Sequence, residues 1–365
     1  MATISGQLNQ QSPTGTLQNW HSSNPQPMGW VALAQLIGID FGHSLVQAPL
    51  GYEAVAGRPG LRRVLCEEYY PHLDAAHLVT TSGAQEGIFM VMQALLQPGD
   101  QVITFTPCFE PLVTVAAETG AEVTTLPLKE SNEAGWSIDW QQLDQTMGPD
   151  TKMLVINFPH NPTGSHISQA EMDKLVTWCE QHGCWLLSDE VFRGLEHQPE
   201  QRLAPAATLY DRAISLGVMS KALGLPGIRL GWLATQNQAL IQRLSEIKSH
   251  LSICQSSLDA ELSQAIIPHS EAIWQHHVNR INSNKAALHK ILHDHEDFSW
   301  HQPTAAATGF IQLNTGKGQD YAIQLAKAHH VMVLPNEAFL TDCQGFRITL
   351  GGADLSQAKW LTSDS

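Results

Sequence analysis

Short apolar runs, rich in β-branched residues, alternate with amphipathic helical stretches from about residue 78 onward, and this alternation limits the possible folds more than any other feature. Strands that are apolar throughout belong in a sheet that is covered on both faces. Their interleaving with helices predicts a mostly parallel sheet between helical layers, which is an α/β domain. The predicted strands are His77–Thr81, Gln101–Phe105, Glu122–Leu128, Lys152–Phe158, Cys184–Val191, Arg212–Val218 and Arg229–Thr235.

Helices are predicted between these strands and, at greater length, after them. Glu86–Leu96 and Gln169–His182 have helical periodicity, and Ser168 is a suitable N-cap for the second helix. After about residue 236 a long helical region extends to about His293, with an interruption near Ser256–Ser257. This change of character marks the end of a large domain.

The rest of the chain predicts a smaller α+β domain, which we expect the N-terminal residues to complete. The predicted division is a large domain of residues 45–255 and a small domain of residues 1–44 and 256–365. The N-terminal stretch up to Pro27 is rich in Gln, Asn, Ser and Pro, and is expected to be a mobile arm. The strands predicted for the small domain are Gly309–Leu313, Val331–Pro335 and Phe346–Leu350.

Charge and cysteine content exclude several classes of partner. With 35 acidic and 20 basic residues, the net charge of −15 argues against binding to a nucleic-acid backbone. The sequence has neither a secretory signal over Met1–Trp20 nor an apolar run that could span a bilayer, so no membrane partner is expected. Six cysteines without CxxC spacing indicate free thiols, and we expect a cytoplasmic protein.

Two patterns resemble ligand sites but do not predict them. The adjacent pairs His276-His277 and His329-His330 are poor bidentate metal ligands, because neighbouring residues on a helix point apart. We therefore favour surface histidines over a zinc site and expect no metal. The segment Asn314–Asp320 (NTGKGQD) lacks the first glycine and the Ser or Thr of a phosphate-binding P-loop.

Lys221 is the first candidate for chemistry. It follows the apolar stretch Ala213–Met219 and precedes the turn Leu225-Pro226-Gly227, so it lies at the end of a strand predicted to be buried. A lysine in such a place is costly unless it is paired or reacts. The role of Lys221 therefore depends on which residues lie at the other strand ends, where ligands bind in open α/β sheets.

Two segments at strand ends carry polar groups suited to a small ligand. In Thr80–Ile88 (TTSGAQEGI) a strand passes into a helix, whose unpaired N–H groups can hold phosphate, although many structural turns look the same. In Asn157–Gly164 (NFPHNPTG) two prolines and a glycine surround Asn161 and can fix its amide towards a ligand.

Two further segments add a carboxylate and an aromatic ring. Asp189 ends an apolar strand and needs a cation to balance its charge, and Phe109 follows another strand. A buried aspartate is more often structural, and an aromatic residue at a strand end more often belongs to the core. Pyridoxal phosphate (PLP) requires a phosphate-binding turn, an aromatic ring, an amide, a carboxylate and an amine. These segments together supply all of these groups.

The order of these motifs resembles the class I and II aminotransferases, PLP-dependent enzymes of the aspartate aminotransferase fold (fold type I). The resemblance extends over roughly residues 45–355 and implies an enzyme of amino acid metabolism with PLP as its cofactor. The motifs that carry it are GYEAVAGRPGLRR, TSGAQEG, NFPHNPTG, SDEVF, SKALGLPGIRLGW and GFRITLGG.

The resemblance implies a role for each cofactor-binding residue. Lys221 would be the catalytic residue, which forms the Schiff base with PLP and moves the α-proton. Asp189 would keep the ring nitrogen protonated, Asn161 would donate to the ring oxygen, and Phe109 would stack on the ring. The residues that would hold the phosphate are Gly83, Ala84, Gln85, Ser220 and Arg229.

The resemblance also implies how substrate and subunits would meet. Arg347, with Asn161 beside it, would bind the α-carboxylate of the substrate. Tyr52 matches the family tyrosine that reaches the phosphate of the neighbouring subunit, which implies a homodimer with shared active sites.

Two departures from the family pattern argue against a standard transaminase. The family usually has a tyrosine three residues after the aspartate, where this chain has Phe192, and a serine or threonine three residues before the lysine, where it has Val218. Loss of the phenol would raise the pKa of the imine and leave Asn161 alone at the ring oxygen.

Three functions remain open. Phe192 and the segment SKALGLPGIRLGW resemble the corresponding parts of PLP enzymes that modify arginine-type amino acids, such as capreomycidine synthase. The sequence therefore favours elimination or cyclisation, with loss of water, of a hydroxylated arginine-type amino acid. Glu53 and Glu110 would then meet a cationic side chain, although both could equally be surface or interface carboxylates.

The alternative is an aminotransferase that passes the amino group to a 2-oxo acid. A PLP-responsive regulator domain is disfavoured, because 365 residues leave no room for a winged-helix segment.

Overall fold

The structure, a computed structural model, describes residues 17–47, 49–131, 135–148, 150–293, 295–352 and 354–361. Helices in these residues, in chain order, are α1 (Trp30–Ile37), α2 (Phe41–Gln47), α3 (Pro59–Tyr69), α4 (Ala84–Leu95), α5 (Pro111–Ala117), α6 (Trp140–Thr146), α7 (Gln169–His182), α8 (Ala206–Leu209), α9 (Gln238–Leu251), α10 (Ser257–Ile266), α11 (Ser270–Leu292) and α12 (Gly318–His329).

The strands are numbered in the same way. They are β1 (Gln18–Asn19), β2 (Leu78–Thr81), β3 (Gln101–Thr106), β4 (Glu122–Pro127), β5 (Lys129–Ser131), β6 (Gly135–Ser137), β7 (Thr151–Asn157), β8 (Trp185–Asp189), β9 (Ala213–Val218), β10 (Gly231–Ala234), β11 (Phe298–Ser299), β12 (Thr308–Leu313), β13 (Val331–Met332), β14 (Leu334–Pro335) and β15 (Gly345–Thr349).

A mostly parallel sheet forms the centre of the molecule, which confirms the predicted fold class. In the described chain its seven strands have the order β2-β10-β9-β8-β7-β3-β4. The contacts among β9, β8, β7, β3 and β4 are parallel, whereas β10 runs antiparallel to both of its neighbours. The carboxyl ends of the parallel strands therefore meet along one edge of the sheet, where a ligand crevice forms.

Both faces of this sheet are covered, because successive side chains of a strand enter different apolar clusters. Val102 and Val155 belong to one cluster, which includes α4, whereas Ile103, Leu154 and Ile156 belong to the other, which includes α7. Successive residues of a strand point to opposite faces, so strands that are apolar throughout require two covered faces.

Local signals fix the ends of the helices as the sequence indicates. The hydroxyl of Ser168 accepts from the Glu171 N–H, the Glu171 carboxylate accepts from the Ser168 N–H, and Gly183 ends the helix in the left-handed conformation. The predicted interruption of the C-terminal helical region lies between α9 and α10, where the Ser256 hydroxyl caps α10 by accepting from the Asp259 N–H.

An antiparallel sheet of the order β11-β12-β15-β14 lies in the C-terminal part of the described chain. The strand predicted over Val331–Pro335 is in fact two strands, which is a correction. Its first half pairs in parallel with β1, and its second half pairs with β15. The domain division at residues 45 and 255 stays a prediction.

The N-terminal stretch is the main error in the predicted fold. Residues 1–16 lie outside the described residues, but residues 17–27 are not a mobile arm. Gln18 and Asn19 pair with β13, and Trp20 is buried with its ring centroid 5.6 Å from that of Trp360. The Trp20 carbonyl also accepts from the Thr349 N–H at 2.8 Å. These contacts join the segment to the C-terminal sheet.

The described residues contain neither a membrane-spanning helix nor a cluster of metal ligands. None of the described helices combines the length and the apolar character that crossing a bilayer requires. No cluster of three or more His, Cys, Asp or Glu side chains there could hold a metal ion. The six cysteines are free thiols.

Candidate active site

A cavity of about 230 Å³ opens at the carboxyl ends of β7, β8 and β9. It brings together most of the residues predicted for the site, although they come from separate segments of the chain. The predicted residues that line the cavity are Ala84, Gln85, Phe109, Asn161, Asp189, Ser220, Lys221 and Arg229.

One end of the cavity collects hydrogen-bond donors for an anion. Helix α4 begins there at Ala84, so its first N–H groups lack partners within the helix. Arg229 donates to the Ser220 hydroxyl at 3.4 Å and to the Pro226 carbonyl at 3.1 Å, and its guanidinium is exposed. A helix N-terminus, a hydroxyl and a guanidinium form a suitable site for a phosphate.

Gly83 allows this end of the cavity, which we call the phosphate end, to be compact. Its φ of +98° lies in a region that other residues rarely adopt, and a Cβ there would lie 2.6 Å from the Arg229 Nη2 atom. Gly83 does not line the cavity, but it lets the turn before α4 approach the guanidinium.

Asn157 joins the two strand ends that carry Asn161 and Asp189, the residues predicted to bind the ring. Its side-chain N–H donates to the Asp189 carbonyl at 2.9 Å, and its Oδ1 accepts from the Asn161 N–H at 3.0 Å. Asn157 and Asp189 are register partners on β7 and β8. Asn157 is not among the predicted site residues, although its place at the end of an apolar strand is a usable signal.

The Asp189 carboxyl lies in the interior without a cation against it. Burial raises its pKa to about 7, against the opposing effects of the Val191 N–H, which donates to it at 3.2 Å, and of Lys221. A raised pKa marks a carboxylate whose charge is incompletely balanced. A protonated ring nitrogen in the cavity would supply the missing cation.

Lys221 places its amine in the same space. Burial lowers the pKa of the amine to about 7, Arg347 lowers it further, and Asp189 opposes both. The Lys221 Nζ donates to the Ser23 hydroxyl at 2.6 Å and lies 5.7 Å from the centroid of the Phe192 ring. A lysine with this pKa is partly unprotonated at neutral pH, as a nucleophile or base must be.

Arg347 approaches the site from the C-terminal sheet. It lies on β15 between Phe310 of β12 and Leu334 of β14, and only 3% of the residue is exposed. Its Nη1 donates to the Asn161 Oδ1 at 2.8 Å, and its Nε and Nη2 donate to the His21 carbonyl. Burial lowers its pKa to about 9. These partners hold a buried cation beside the cavity.

Part of the cavity lining is apolar where the family pattern would have hydroxyl groups. Val191, Phe192 and Val218 all line the cavity and are buried. We call these three residues the apolar wall. Phe192 and Val218, the two departures noted in the sequence, are therefore neighbours of the same space.

Five predicted residues lie away from the cavity lining: Gly83 and Arg347, described above, and Glu53, Glu110 and Tyr52. Glu53 forms an ion pair with Arg58 at 2.5 Å, and Arg58 also contacts Glu261. Glu110 is the N-cap residue of α5. Neither glutamate lines the cavity of its own chain, so their contact with a cationic side chain stays a prediction. Tyr52 is 88% exposed, so it contributes nothing to the cavity of its own chain.

Sequence reasoning missed the N-terminal contribution to the site. Ser23 bonds Lys221, the His21 carbonyl bonds Arg347, and Asn24 lines the cavity with its buried Oδ1 atom unpaired in the described structure. These contacts join residues that lie far apart in the chain, so no local sequence pattern predicts them.

Comparison with known proteins shows where this arrangement belongs. Residues 23–360 match the protein family described as aminotransferase class I and II. The chain belongs to this family. Its members use PLP, and the chain is a PLP-dependent enzyme, as predicted.

Similar proteins include both transaminases and a synthase. The chain is 28% identical over 334 residues to the arginine–pyruvate transaminase of Pseudomonas aeruginosa, covering 86% of this chain and 82% of that protein. It is 28% identical over 264 residues to the capreomycidine synthase of Streptomyces vinaceus, covering 72% and 67%. A crystal structure of a PLP-dependent aminotransferase from Streptococcus suis superposes with a TM-score of 0.89 at 26% identity, covering 98% of this chain and 95% of that one.

The donor set of the cavity fits PLP. Ala84, Gln85, Ser220 and Arg229 suit its phosphate, and Asp189 suits its ring nitrogen. Further donors and partners for the ring and aldehyde are Asn161, Phe109 and Lys221. When bound, the cofactor supplies an aldehyde for the substrate amine and a cationic ring that withdraws electrons from the α-carbon.

Proposed function

We propose that this enzyme acts at the α-carbon of a free L-amino acid and dehydrates a hydroxylated arginine-type amino acid, by elimination or cyclisation. The observation that carries the proposal is the apolar wall, where Phe192 lies within 5.7 Å of the Lys221 amine and offers no hydroxyl. The other steps rest on residues that the family pattern shares.

The buried Arg347 would bind the substrate α-carboxylate. A guanidinium has five N–H donors, and its bonds to Asn161 and His21 leave others available. A fixed guanidinium can grip a carboxylate through two parallel hydrogen bonds, which orients the α-carbon. The hydrogen bond to Asn161 would also tie substrate binding to the ring-binding side of the cavity.

Lys221 would remove the α-proton. Its amine pKa of about 7 makes a sizeable fraction of the amine unprotonated at neutral pH. General bases work best when their pKa lies near the working pH. The low pKa comes from burial and from Arg347, so the residue that would hold the substrate also tunes the base.

The apolar wall favours dehydration over amino transfer. Amino transfer ends when water releases a 2-oxo acid, and a wall without hydroxyl groups holds water poorly next to Lys221. In dehydration the C–O bond breaks, and the leaving hydroxyl takes a proton and departs as water. In cyclisation a side-chain nitrogen then forms a bond to the same carbon, loses a proton, and the α-carbon regains one. The net change is the loss of one water.

A basic side chain would meet an amide oxygen rather than a carboxylate of the same chain. Among the described residues that line the cavity, Asp189 is the only carboxylate, and it suits the ring nitrogen. The buried Oδ1 of Asn24 accepts no hydrogen bond in the described structure. This oxygen is a suitable acceptor for the N–H groups or hydroxyl of the substrate.

Amino transfer is the second candidate. It is supported by the likeness to the arginine–pyruvate transaminase, which covers more of the chain than the likeness to capreomycidine synthase does. Both candidates share binding by Arg347 and proton removal by Lys221. They differ only in the fate of the substrate after that step.

We further propose a homodimer with shared sites. Large apolar side chains are exposed along residues 30–52, among them Val31, Val46 and Leu50, which solvent alone would not favour. Tyr52 is exposed beside them, and the guanidinium of Arg229 is exposed at the phosphate end. A second subunit that covered these residues could bring its tyrosine to that guanidinium.

A direct assay separates the two reactions. The PLP-loaded enzyme is mixed with a panel of amino acids, including arginine and hydroxylated arginines, with and without pyruvate or 2-oxoglutarate. Mass spectrometry follows the products. Loss of 18 mass units (~18 Da, one water) from a hydroxylated arginine without an acceptor supports dehydration. Sustained, acceptor-dependent amino transfer would overturn it in favour of the second candidate.

A further inference from the structure

The N-terminal segment His21–Asn24 contacts both reacting ends of the proposed substrate site. The His21 carbonyl accepts from Arg347, and two residues later the Ser23 hydroxyl accepts from the Lys221 amine at 2.6 Å. Only Ser22 separates these two contacts along the chain, so one short segment links Arg347 to Lys221. Ser23 therefore lies where a substrate bound to Arg347 would meet Lys221.

We propose that Ser23 is a positioning residue for Lys221. Its hydroxyl holds the amine whenever the amine is free, and so competes with the cofactor aldehyde for it. The proposal rests on the function proposed above only in so far as Lys221 moves the α-proton. Nothing in the family pattern assigned a role to residue 23.

The effect of Ser23 depends on the protons that the Lys221 nitrogen carries. A free amine or ammonium has two or three N–H bonds and donates readily to a hydroxyl, whereas a nitrogen bonded to an aldehyde carbon has one at most. Ser23 therefore stabilises the released lysine more than the lysine that is joined to PLP. The released lysine is the form that removes the α-proton.

The neighbouring Ser22 provides a matched control. Its hydroxyl accepts from the Asn24 N–H at 3.1 Å and makes no hydrogen bond to Lys221 in the described structure. Ser22→Ala and Ser23→Ala remove the same group from the same segment, one residue apart. Only the second removes the acceptor of the lysine.

The first readout is the dissociation constant of PLP, measured by absorbance on protein freed of cofactor. A hydrogen bond of ordinary strength changes an equilibrium about 2- to 10-fold. We expect Ser23→Ala to bind PLP about 2- to 10-fold more tightly, and Ser22→Ala and Ser23→Thr to bind it as the wild type does. Equal or weaker binding by a folded Ser23→Ala protein would overturn the proposal.

The second readout is the exchange of the substrate α-proton with D2O, followed by NMR on the loaded enzyme. Ser23→Ala should lower the maximal exchange rate by roughly 10-fold or more, because the base is no longer held in place. Ser23→Thr should restore it. An unchanged rate in Ser23→Ala contradicts the proposed role.

The two readouts keep this inference separate from the proposed function. PLP affinity needs no substrate, so it tests Ser23 even if every amino acid of the panel is inert. Absence of α-proton exchange in the wild type would refute the proposed function but not the contact with Lys221. If circular dichroism shows that Ser23→Ala does not fold, Ser23→Cys replaces it, because a thiol is a weaker acceptor of similar size. Ser23→Cys should bind PLP more tightly than the wild type. Unchanged affinity would again overturn the proposal.

Discussion

The side-chain amide of Asn157 donates to the backbone carbonyl of Asp189 at 2.9 Å, across adjacent strands β7 and β8. The same side chain accepts from the Asn161 N–H, so one buried group fixes two proposed ring-binding residues. The geometry of the cavity thus depends on a residue that does not itself carry a proposed ligand contact.

Replacing Asn157 should weaken both the fold and PLP binding. Asn157→Leu leaves a buried carbonyl and a buried N–H without partners, which costs about 1–3 kcal/mol each in the free energy of unfolding. The measurements are urea denaturation and PLP affinity. Thr104→Val is the control, since Thr104 also donates from a buried side chain to a strand carbonyl, at 3.1 Å, away from the cavity. It should lose stability while PLP affinity stays unchanged.

Lys221→Ala should abolish the covalent link to PLP, because no other amine of this pKa lines the described cavity. Borohydride reduction followed by peptide mass spectrometry should find no pyridoxyl-lysine. Lys248→Met is the matched control. Lys248 is also buried and its pKa is lowered to about 8, but it donates to the Thr80 carbonyl at 2.6 Å outside the cavity. A link that persists in Lys221→Ala, or that disappears in Lys248→Met, would contradict the assignment.

Asp189 should make the cofactor-free protein less stable as the pH rises. Its folded pKa of about 7 lies above the 3.8 that is usual for an aspartate in water, so between these values the folded state holds a proton that the unfolded state has lost. The free energy of unfolding then falls with rising pH, by up to roughly 4 kcal/mol from this group.

Urea denaturation between pH 4 and pH 7 measures this dependence. Asp189→Asn should flatten it, and should also weaken PLP binding because the proposed partner of the ring nitrogen is lost. The exposed Asp173→Asn serves as control and should leave both unchanged. A slope that is the same in Asp189→Asn and in the wild type would show that another group is responsible.

Phe192→Tyr should shift the enzyme towards amino transfer. The new hydroxyl enters the apolar wall beside Lys221, where it can hold water and bond the ring oxygen of PLP. We expect a higher ratio of transferred to dehydrated product, measured by mass spectrometry with and without pyruvate. The apolar control Phe192→Leu should keep the wild-type ratio. If Phe192→Tyr keeps it as well, the apolar wall does not decide the reaction.

Gly83→Ala should lower PLP affinity more than its backbone strain explains. The new Cβ would lie 2.6 Å from the Arg229 Nη2 and displace the guanidinium from the phosphate end. Gly99→Ala is the matched control, because its φ of +89° is similar but no atom lies within 4 Å of the new Cβ. Both should lose stability, by about 1–2 kcal/mol. Only Gly83→Ala should lose affinity for PLP, as measured by equilibrium dialysis.

The parts of the site that could be read from the sequence are those at strand ends. The apolar runs give the strands of the central sheet to within about two residues, and the residues that follow them, such as Asn161, Asp189 and Lys221, meet because parallel strands end at one edge. Their convergence needs only the fold class, which periodicity and motifs supplied.

What the sequence could not indicate depends on contacts between distant segments. Ser23 and Lys221 are 198 positions apart, and the pairing of β1 with β13 joins the two ends of the described chain. The composition of residues 17–27 is that of a loop. It therefore did not predict that long-range backbone hydrogen bonds hold this segment in place. Glu53 pairs with its neighbour Arg58 in its own chain, and its contact with a cationic substrate stays a prediction.

The contact between His21 and Arg347, 326 positions apart, sets an order of events during synthesis. Lys221 leaves the ribosome well before Arg347, by some 6–25 s at ~5–20 residues per second, and Asp189 leaves earlier still. If the chain folds as it is made, the residues proposed to hold PLP are available before the arginine proposed to bind the substrate. Cofactor capture would then precede completion of the chain, whereas binding of an amino acid would wait for the last strand.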